Sequence, residues 1–174
     1  MIYEVLGVAP TIASSAFIAP SASVMGDVHV GERSSVWFHA TIRGDVHHIR
    51  IGADTNIQDG AVVHVTGGLV PCLIGDRVTV GHNAIIHGCT VEDEALIGMG
   101  ATVLDEAVVG AQSIVGANAL VTGRTIIPPR SMVLGSPAKV VRTLTDEEVA
   151  FLAVSAAHYV ENAAGFMKTL KPVP

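Results

Sequence analysis

An aliphatic residue recurs at every sixth position along most of this chain. The series begins at Ile12, Ile18, Val24, Val30, Val36 and Ile42 and resumes at Ile51, Ile57 and Val63. It restarts at Ile74, Val80 and Ile86, then runs unbroken from Val91 through Ile97, Val103, Val109, Val115, Val121 and Ile127 to Val133. Four residues after most of these positions stands a small one, among them Ala22, Ser34, Ala40, Thr55, Ala61, Ala84, Ala95, Ala101, Ala107, Ser113 and Ala119. Val28, Val46, Val78 and Pro137 depart from that rule. A helix repeats near 3.6 residues and an alternating strand at 2, so neither explains a period of six. A coil with three flat sides of six residues does. The twenty hexads predict an all-β stack of roughly six to seven coils, each rising about 4.8 Å by ordinary strand spacing.

The pattern changes after the repeat. Thr145-Asp146-Glu147-Glu148 reads as an N-cap with a glutamate three residues on. Val149, Leu152, Ala156, Val160 and Ala163 then share one helical face, which predicts a helix ending near Gly165 and packed along the stack. Lys168 to Pro174 reads as a loose tail. The expected organisation is a repeat domain over residues 1–143 and a helix with tail over residues 144–174.

Composition agrees with strands and tight turns: 26 Val and 14 Ile stand against 10 Leu, with 18 Gly and only 7 aromatic residues. The net charge is −6, and the 10 Lys and Arg are scattered singly, so no nucleic-acid surface is expected. The longest uncharged stretch, Val5 to Gly26, contains Pro10, Pro20 and four Ser with no Lys or Arg ahead of it. It reads as neither a signal peptide nor a membrane span, so no membrane partner is expected. Cys72 and Cys89 read as reduced thiols of a cytoplasmic protein.

Among eight His, the register singles out two. His64 and His87 each follow an interior residue, Val63 and Ile86, and their 23-residue separation is one 18-residue coil plus the five residues of the break around Gly67 to Leu73. They are expected to stack on one side. Cα atoms about 4.8 Å apart suit two imidazoles converging on one ion, whose nitrogens then lie a little over 3 Å apart. His82, five residues before His87, falls on the preceding side and diverges. In a cyclic oligomer His82 of one subunit would face His64 and His87 of the next, and a homotrimer would form three such sites. Three imidazoles with one open position suit zinc, which lowers the pKa of bound water to about 7. His29, His39, His47, His48 and His158 fall outside this register and are expected at the surface.

From about residue 12 to 138 the hexads resemble the hexapeptide-repeat proteins, which implies a left-handed parallel β-helix with aliphatic residues filling a triangular prism. Arg43-Gly44-Asp45, Asn56-Ile57-Gln58-Asp59, the run ending in His64 and the segment from Gly81 to Cys89 together resemble the γ-class carbonic anhydrases, in particular their compact bacterial branch. Gly135-Ser136-Pro137-Ala138-Lys139 and Tyr159 fit behind them. The resemblance implies reversible hydration of carbon dioxide to bicarbonate, with His64, His82 and His87 as ligands of zinc; iron and cobalt also suit three imidazoles. It further implies that Gln58 hydrogen-bonds the metal-bound hydroxide and that Asn56 orients the substrate pocket. Arg43 would pair with Asp59 or Asp45 across the subunit interface and help hold bicarbonate, and Tyr159 would close the pocket.

The resemblance has a gap. Where archaeal-type members carry proton-relaying glutamates, this chain has Val46 and the loop Gly67-Gly68-Leu69, with no acid between Asp59 and Asp76, so turnover is expected to be slow. Three other readings stay open. One is a hexapeptide acyltransferase, although no long substrate-embracing loop is present; another is a metal-dependent acyl-CoA thioesterase; the third is a non-catalytic, metal-binding structural member. Arg43, Asp45 and Asp59 also read as interface ion pairs, and Asn56 and Gln58 as amide ladders.

Overall fold

In the computed structural model, which describes residues 1–173, the period of six becomes three flat faces wound around one core. The hexad residues point inward: Ile42, Ile57, Val63, Val80, Ile86, Val91, Ile97 and Val103 have no exposed surface. One face is an eight-stranded sheet. Its strands Phe17–Ile18, Ser35–Val36, Asn56–Ile57, Thr79–Val80, Leu96–Ile97, Ile114–Val115 and Ser131–Gly135 pair in parallel, one per coil, so seven coils are stacked. The antiparallel strand Ala138–Thr143 closes this sheet.

The other two faces form one twelve-stranded sheet, because two long strands, Ser23–Val30 and Thr41–Ile51, run around the corner between them. Val62–His64, Ile85–His87, Thr102–Val103 and Leu120–Val121 stack on the first half of Thr41–Ile51 and make the second face. Cys72–Ile74, Thr90–Val91, Val108–Val109 and Ile126–Ile127 stack on its second half and make the third. The bend is set by an irregular register between Gly26 and Val28. Gly26 has φ +77, and a Cβ there would lie 2.3 Å from the Gly44 carbonyl oxygen, so only glycine fits.

The corners obey a rule that the aliphatic period does not display. The residue three after the interior aliphatic adopts the left-handed conformation: Arg33, His39, Asp54, Arg77, Asn83, Glu94, Glu106, Gln112, Asn118, Arg124 and Arg130 all have φ between 54 and 63. Gly60 and Gly100 take the same place. This turns the backbone N–H toward the neighbouring coil, as in Asn83 N–H to Asp59 O at 2.9 Å and Glu94 N–H to Asp76 O at 2.9 Å. The next residue then points into a cramped inward place that a methyl or hydroxyl group usually fills, as at the buried Ala84, Ala95, Ala101 and Ser113, while Val78 is buried there with its larger side chain. Long side chains at the turn pair between coils, Arg33 with Asp54 at 2.7 Å and Arg77 with Glu94 at 2.9 Å.

The helix spans Asp146–Thr169 and starts on the expected capping box, with Glu148 N–H donating to Thr145 Oγ1 and Thr145 N–H donating to Glu148 Oε2. It covers the eight-stranded face, burying Leu152, Ala156 and Ala163, while Val149 and Val160 are half-buried. It runs four residues beyond the expected end near Gly165. Phe166 packs on Trp37 and Phe17 with centroids 5.0 and 5.9 Å apart, and that contact carries the helix onward, so Lys168 is helical and not part of a tail. Pro174, also assigned to the tail, lies outside the described residues. Cys72 and Cys89 are buried free thiols. Among the described residues no helix is long and apolar enough to cross a membrane.

Candidate metal centre

His64 and His87 are direct partners in the parallel ladder of the second face, held by the stacking of Val62–His64 under Ile85–His87. Their rings stand 5.0 Å apart, and His64 Nδ1 lies 3.1 Å from His87 Nε2. The remaining nitrogen of each ring meets a carboxylate. His64 Nε2 is 3.0 Å from Asp45 Oδ1, and His87 Nδ1 is 2.5 Å from Asp105 Oδ1. The carboxylates are held in turn, Asp45 by the Arg43 guanidinium and Asp105 by the Thr66 hydroxyl at 2.6 Å.

Burial raises the pKa of both acids. Hydrogen bonds from His64 and Arg43 to Asp45, and from Thr66 and His87 to Asp105, outweigh it, so both lie below the usual carboxylate range. Each carboxylate is therefore charged at neutral pH and accepts a ring N–H. A neutral imidazole with its N–H on the carboxylate side turns a lone pair toward the other ring, the arrangement in which histidine ligates a transition metal. Two such nitrogens 3.1 Å apart match the spacing of two ligands on one tetrahedral ion, a little over 3 Å. The donor set fits zinc.

His82 does not join them. It sits across the second face at the preceding corner, half-buried, with Nδ1 3.0 Å from Asp59 Oδ2, so it too has a carboxylate behind it. Among the described residues no cluster of three metal-binding side chains forms. Between the two corners, the outer surface of the second face carries an aliphatic stripe in which Val62 and Ile85 are 38% and 41% exposed.

The other predicted site residues divide between the same two corners. Arg43 and Asp45 lie with His64 and His87. Within the chain Arg43 pairs with Asp45, because the two residues are two apart on one strand and share a face. Asn56, Gln58, Asp59 and Tyr159 belong with His82. There a groove of about 270 Å³ is lined by Gln58, Thr79, His82, Met99, Phe151 and Tyr159. Gln58 Nε2 donates to Asn56 Oδ1 at 3.0 Å, and Asn56 Nδ2 donates to Thr79 Oγ1 at 3.0 Å. Both amides are buried; Gln58 bonds Asn56 two residues before it, and Asn56 reaches the neighbouring coil at Thr79. The Tyr159 ring packs edge-on against Trp37 at 5.6 Å, and burial, followed by the charge of Asp59, pushes its phenol up.

His29, His39 and His158 are exposed as expected, whereas His47 and His48 are half-buried in the corner bend, rings 4.6 Å apart. Burial and then Arg50 hold the His48 imidazole below its usual pKa. Asp105 and Thr66 escaped the motif reading. The register carried one signal for Asp105, which follows His87 by 18 residues and so stands one coil above it.

The model for the hexapeptide repeat of succinyl-transferase matches residues 71–105. The chain is 50% identical over 156 residues to mitochondrial gamma carbonic anhydrase 1 of Arabidopsis thaliana, covering 87% of this chain and 57% of that one. It thus spans less than two-thirds of that relative's length. It is 54% identical over 150 residues to a protein of Methanocaldococcus jannaschii named as a probable carbonic anhydrase, covering 86% of this chain and 94% of that one. The crystal structure of a Bacillus cereus protein described as a candidate acetyltransferase superposes with TM-score 0.93 at 43% identity, covering 95% of each chain.

Proposed function

Because the chain belongs to the γ-class carbonic anhydrase family of hexapeptide-repeat proteins, we propose that it hydrates carbon dioxide reversibly to bicarbonate at a zinc ion shared between subunits of a homotrimer. The observation that carries this reading is the division of the site between two corners. One corner holds a two-nitrogen half-site with Arg43, and the other holds His82 with the Gln58 amide and a groove. A head-to-tail contact that sets one corner against the next subunit's other corner completes the site and closes at three copies. The Val62 and Ile85 stripe lies between the corners and supplies apolar surface for that contact.

His64, His87 and the neighbour's His82 would hold the ion, whose chemistry is to acidify water to a pKa of about 7. Asp45, Asp59 and Asp105 fix the three rings through their second nitrogens. Gln58 has its amide nitrogen taken by Asn56, so it presents a carbonyl oxygen to accept a hydrogen bond from the reacting water. Phe151, Met99 and Tyr159 give that corner apolar walls suited to carbon dioxide. Arg43, 43% exposed, keeps guanidinium donors free for a bicarbonate oxygen.

Acyl transfer is the second reading, favoured by the description of the Bacillus cereus neighbour. The test combines elemental analysis with stopped-flow carbon dioxide hydration and acetyl-CoA hydrolysis on the wild type, His87→Ala and the control His47→Ala. We expect one metal ion per subunit and hydration in the wild type and His47→Ala, and neither in His87→Ala. Full metal in His87→Ala, or acetyl-CoA turnover without hydration, refutes the proposal.

A further inference from the structure

The segment around Asp105 departs from the regular coil in two ways, and each departure bears on one carboxylate. The break in the hexad period after Val63 inserts a short loop that carries Thr66. That loop closes on itself through a bridge between Thr66 and Val70, and the Thr66 hydroxyl reaches across 39 residues to Asp105 Oδ2 at 2.6 Å. Gly88 stands between Asp105 and that loop with φ +50, and a Cβ there would lie 2.7 Å from Asp105 Oδ1 and 2.9 Å from Val70 Cγ2. The carboxylate comes this close to the His87 ring only over a glycine. The ordinary corner bond, Glu106 N–H to Gly88 O at 2.8 Å, then ties the residue after Asp105 to the residue after His87.

We infer that Asp105, oriented by Thr66 and admitted by Gly88, is a positioning residue that fixes the His87 ring with Nε2 turned toward His64. The inference rests on the metal reading proposed above. One carboxylate oxygen accepts a hydrogen bond from His87 Nδ1 and the other accepts one from the Thr66 hydroxyl. The tautomer and the tilt of the ring are therefore set before any ion arrives. Asp105 reaches the ion only through His87 and touches no reactant.

The test measures zinc affinity by chelator competition on the assembled protein of the wild type, His87→Ala, Asp105→Asn and Thr66→Val, together with the visible spectrum of the cobalt-loaded forms. Asp105→Asn keeps the side chain's shape. It is expected to weaken zinc binding on the order of 10–100-fold and to shift the cobalt spectrum, without altering trimer formation or the melting temperature of the metal-free protein. Thr66→Val should act in the same direction with a smaller effect, and it decides the matter if Asp105→Asn does not assemble. A purely structural Asp105 would move the melting temperature and leave the cobalt spectrum alone. Wild-type protein that binds no zinc, or His87→Ala that binds it fully, overturns the metal site and this inference with it. Zinc binding that depends on His87 yet stays within about twofold in both Asp105→Asn and Thr66→Val overturns the assignment of Asp105 alone.

Discussion

Val46 governs how a proton would leave the proposed site. Hydrating carbon dioxide releases one proton per turnover, and the three nearest carboxylates, Asp45, Asp59 and Asp105, each already face a histidine nitrogen. Val46 follows Asp45, is 50% exposed and lies against the Gly67 loop, whose tip is the 71%-exposed Leu69. No acid stands there to pass a proton outward. We therefore expect the hydration rate to rise with the concentration of small buffer. Val46→Glu should raise the rate at low buffer on the order of tenfold or more, within the usual worth of a placed proton-transfer group. A buffer-independent wild-type rate would mean that another group, such as the adjacent His47, already carries the proton. At this scale the sequence was informative wherever register decides. His64 and His87 could be stacked by counting residues, whereas the loop residue Thr66 reaches Asp105 across 39 positions that no period relates.

At the scale of elements, the interior was legible because one property, aliphatic every sixth position, maps onto one environment, the prism axis. The corners were only half legible. Arg33, Glu94 and Gln112 share a left-handed backbone imposed by the neighbouring coil, and nothing in their side-chain chemistry announces it. The helix start was legible from Thr145 and Glu148, but its end was not, because Phe166 holds the last turn through tertiary contact with Trp37. The same helix offers a pH test. The Arg142 guanidinium, and then the Thr145 backbone N–H, lower the Glu148 carboxyl from 4.5 to about 2. A carboxyl whose pKa falls on folding stabilises the fold above its unfolded value and loses that contribution as pH drops toward its folded one. Helix docking should therefore weaken between about pH 4.5 and 2. Trp37, the only tryptophan, packs on Tyr159 and Phe166 and reports the change through its fluorescence. In Glu148→Gln the part of the transition due to this group should be absent, with a weaker helix at every pH. An unchanged acid profile in Glu148→Gln would show that the Arg142 pair does not couple to docking.

At the scale of the whole molecule, the prediction concerns which chain supplies which ligand. If His64 and His87 come from one subunit and His82 from its neighbour, His64→Ala trimers and His82→Ala trimers should each be metal-free. Mixing the two restores a site wherever the intact pair of a His82→Ala chain meets the intact His82 of a His64→Ala chain, which by cyclic symmetry happens once in each mixed trimer. Random reassembly of equal amounts makes about three-quarters of trimers mixed, so about one-quarter of all sites should regain metal. His64→Ala mixed with His87→Ala should regain none, because every interface then lacks one member of the stacked pair. The measurement is metal per subunit after unfolding, mixing and refolding, with one variant of each pair isotope-labelled so that mixed trimers are verified by mass. The aliphatic stripe of Val62 and Ile85 enters the same experiment, since it lies between the corners and is assigned to the contact that brings them together. Ile85→Lys should yield monomers that keep the fold and bind no metal. Metal recovered in the second mixture would put His64 and His87 on different chains, whereas full metal in monomeric Ile85→Lys, or no recovery in the first mixture despite verified mixed trimers, would rule out a ligand shared with the neighbour; each result refutes the assigned site.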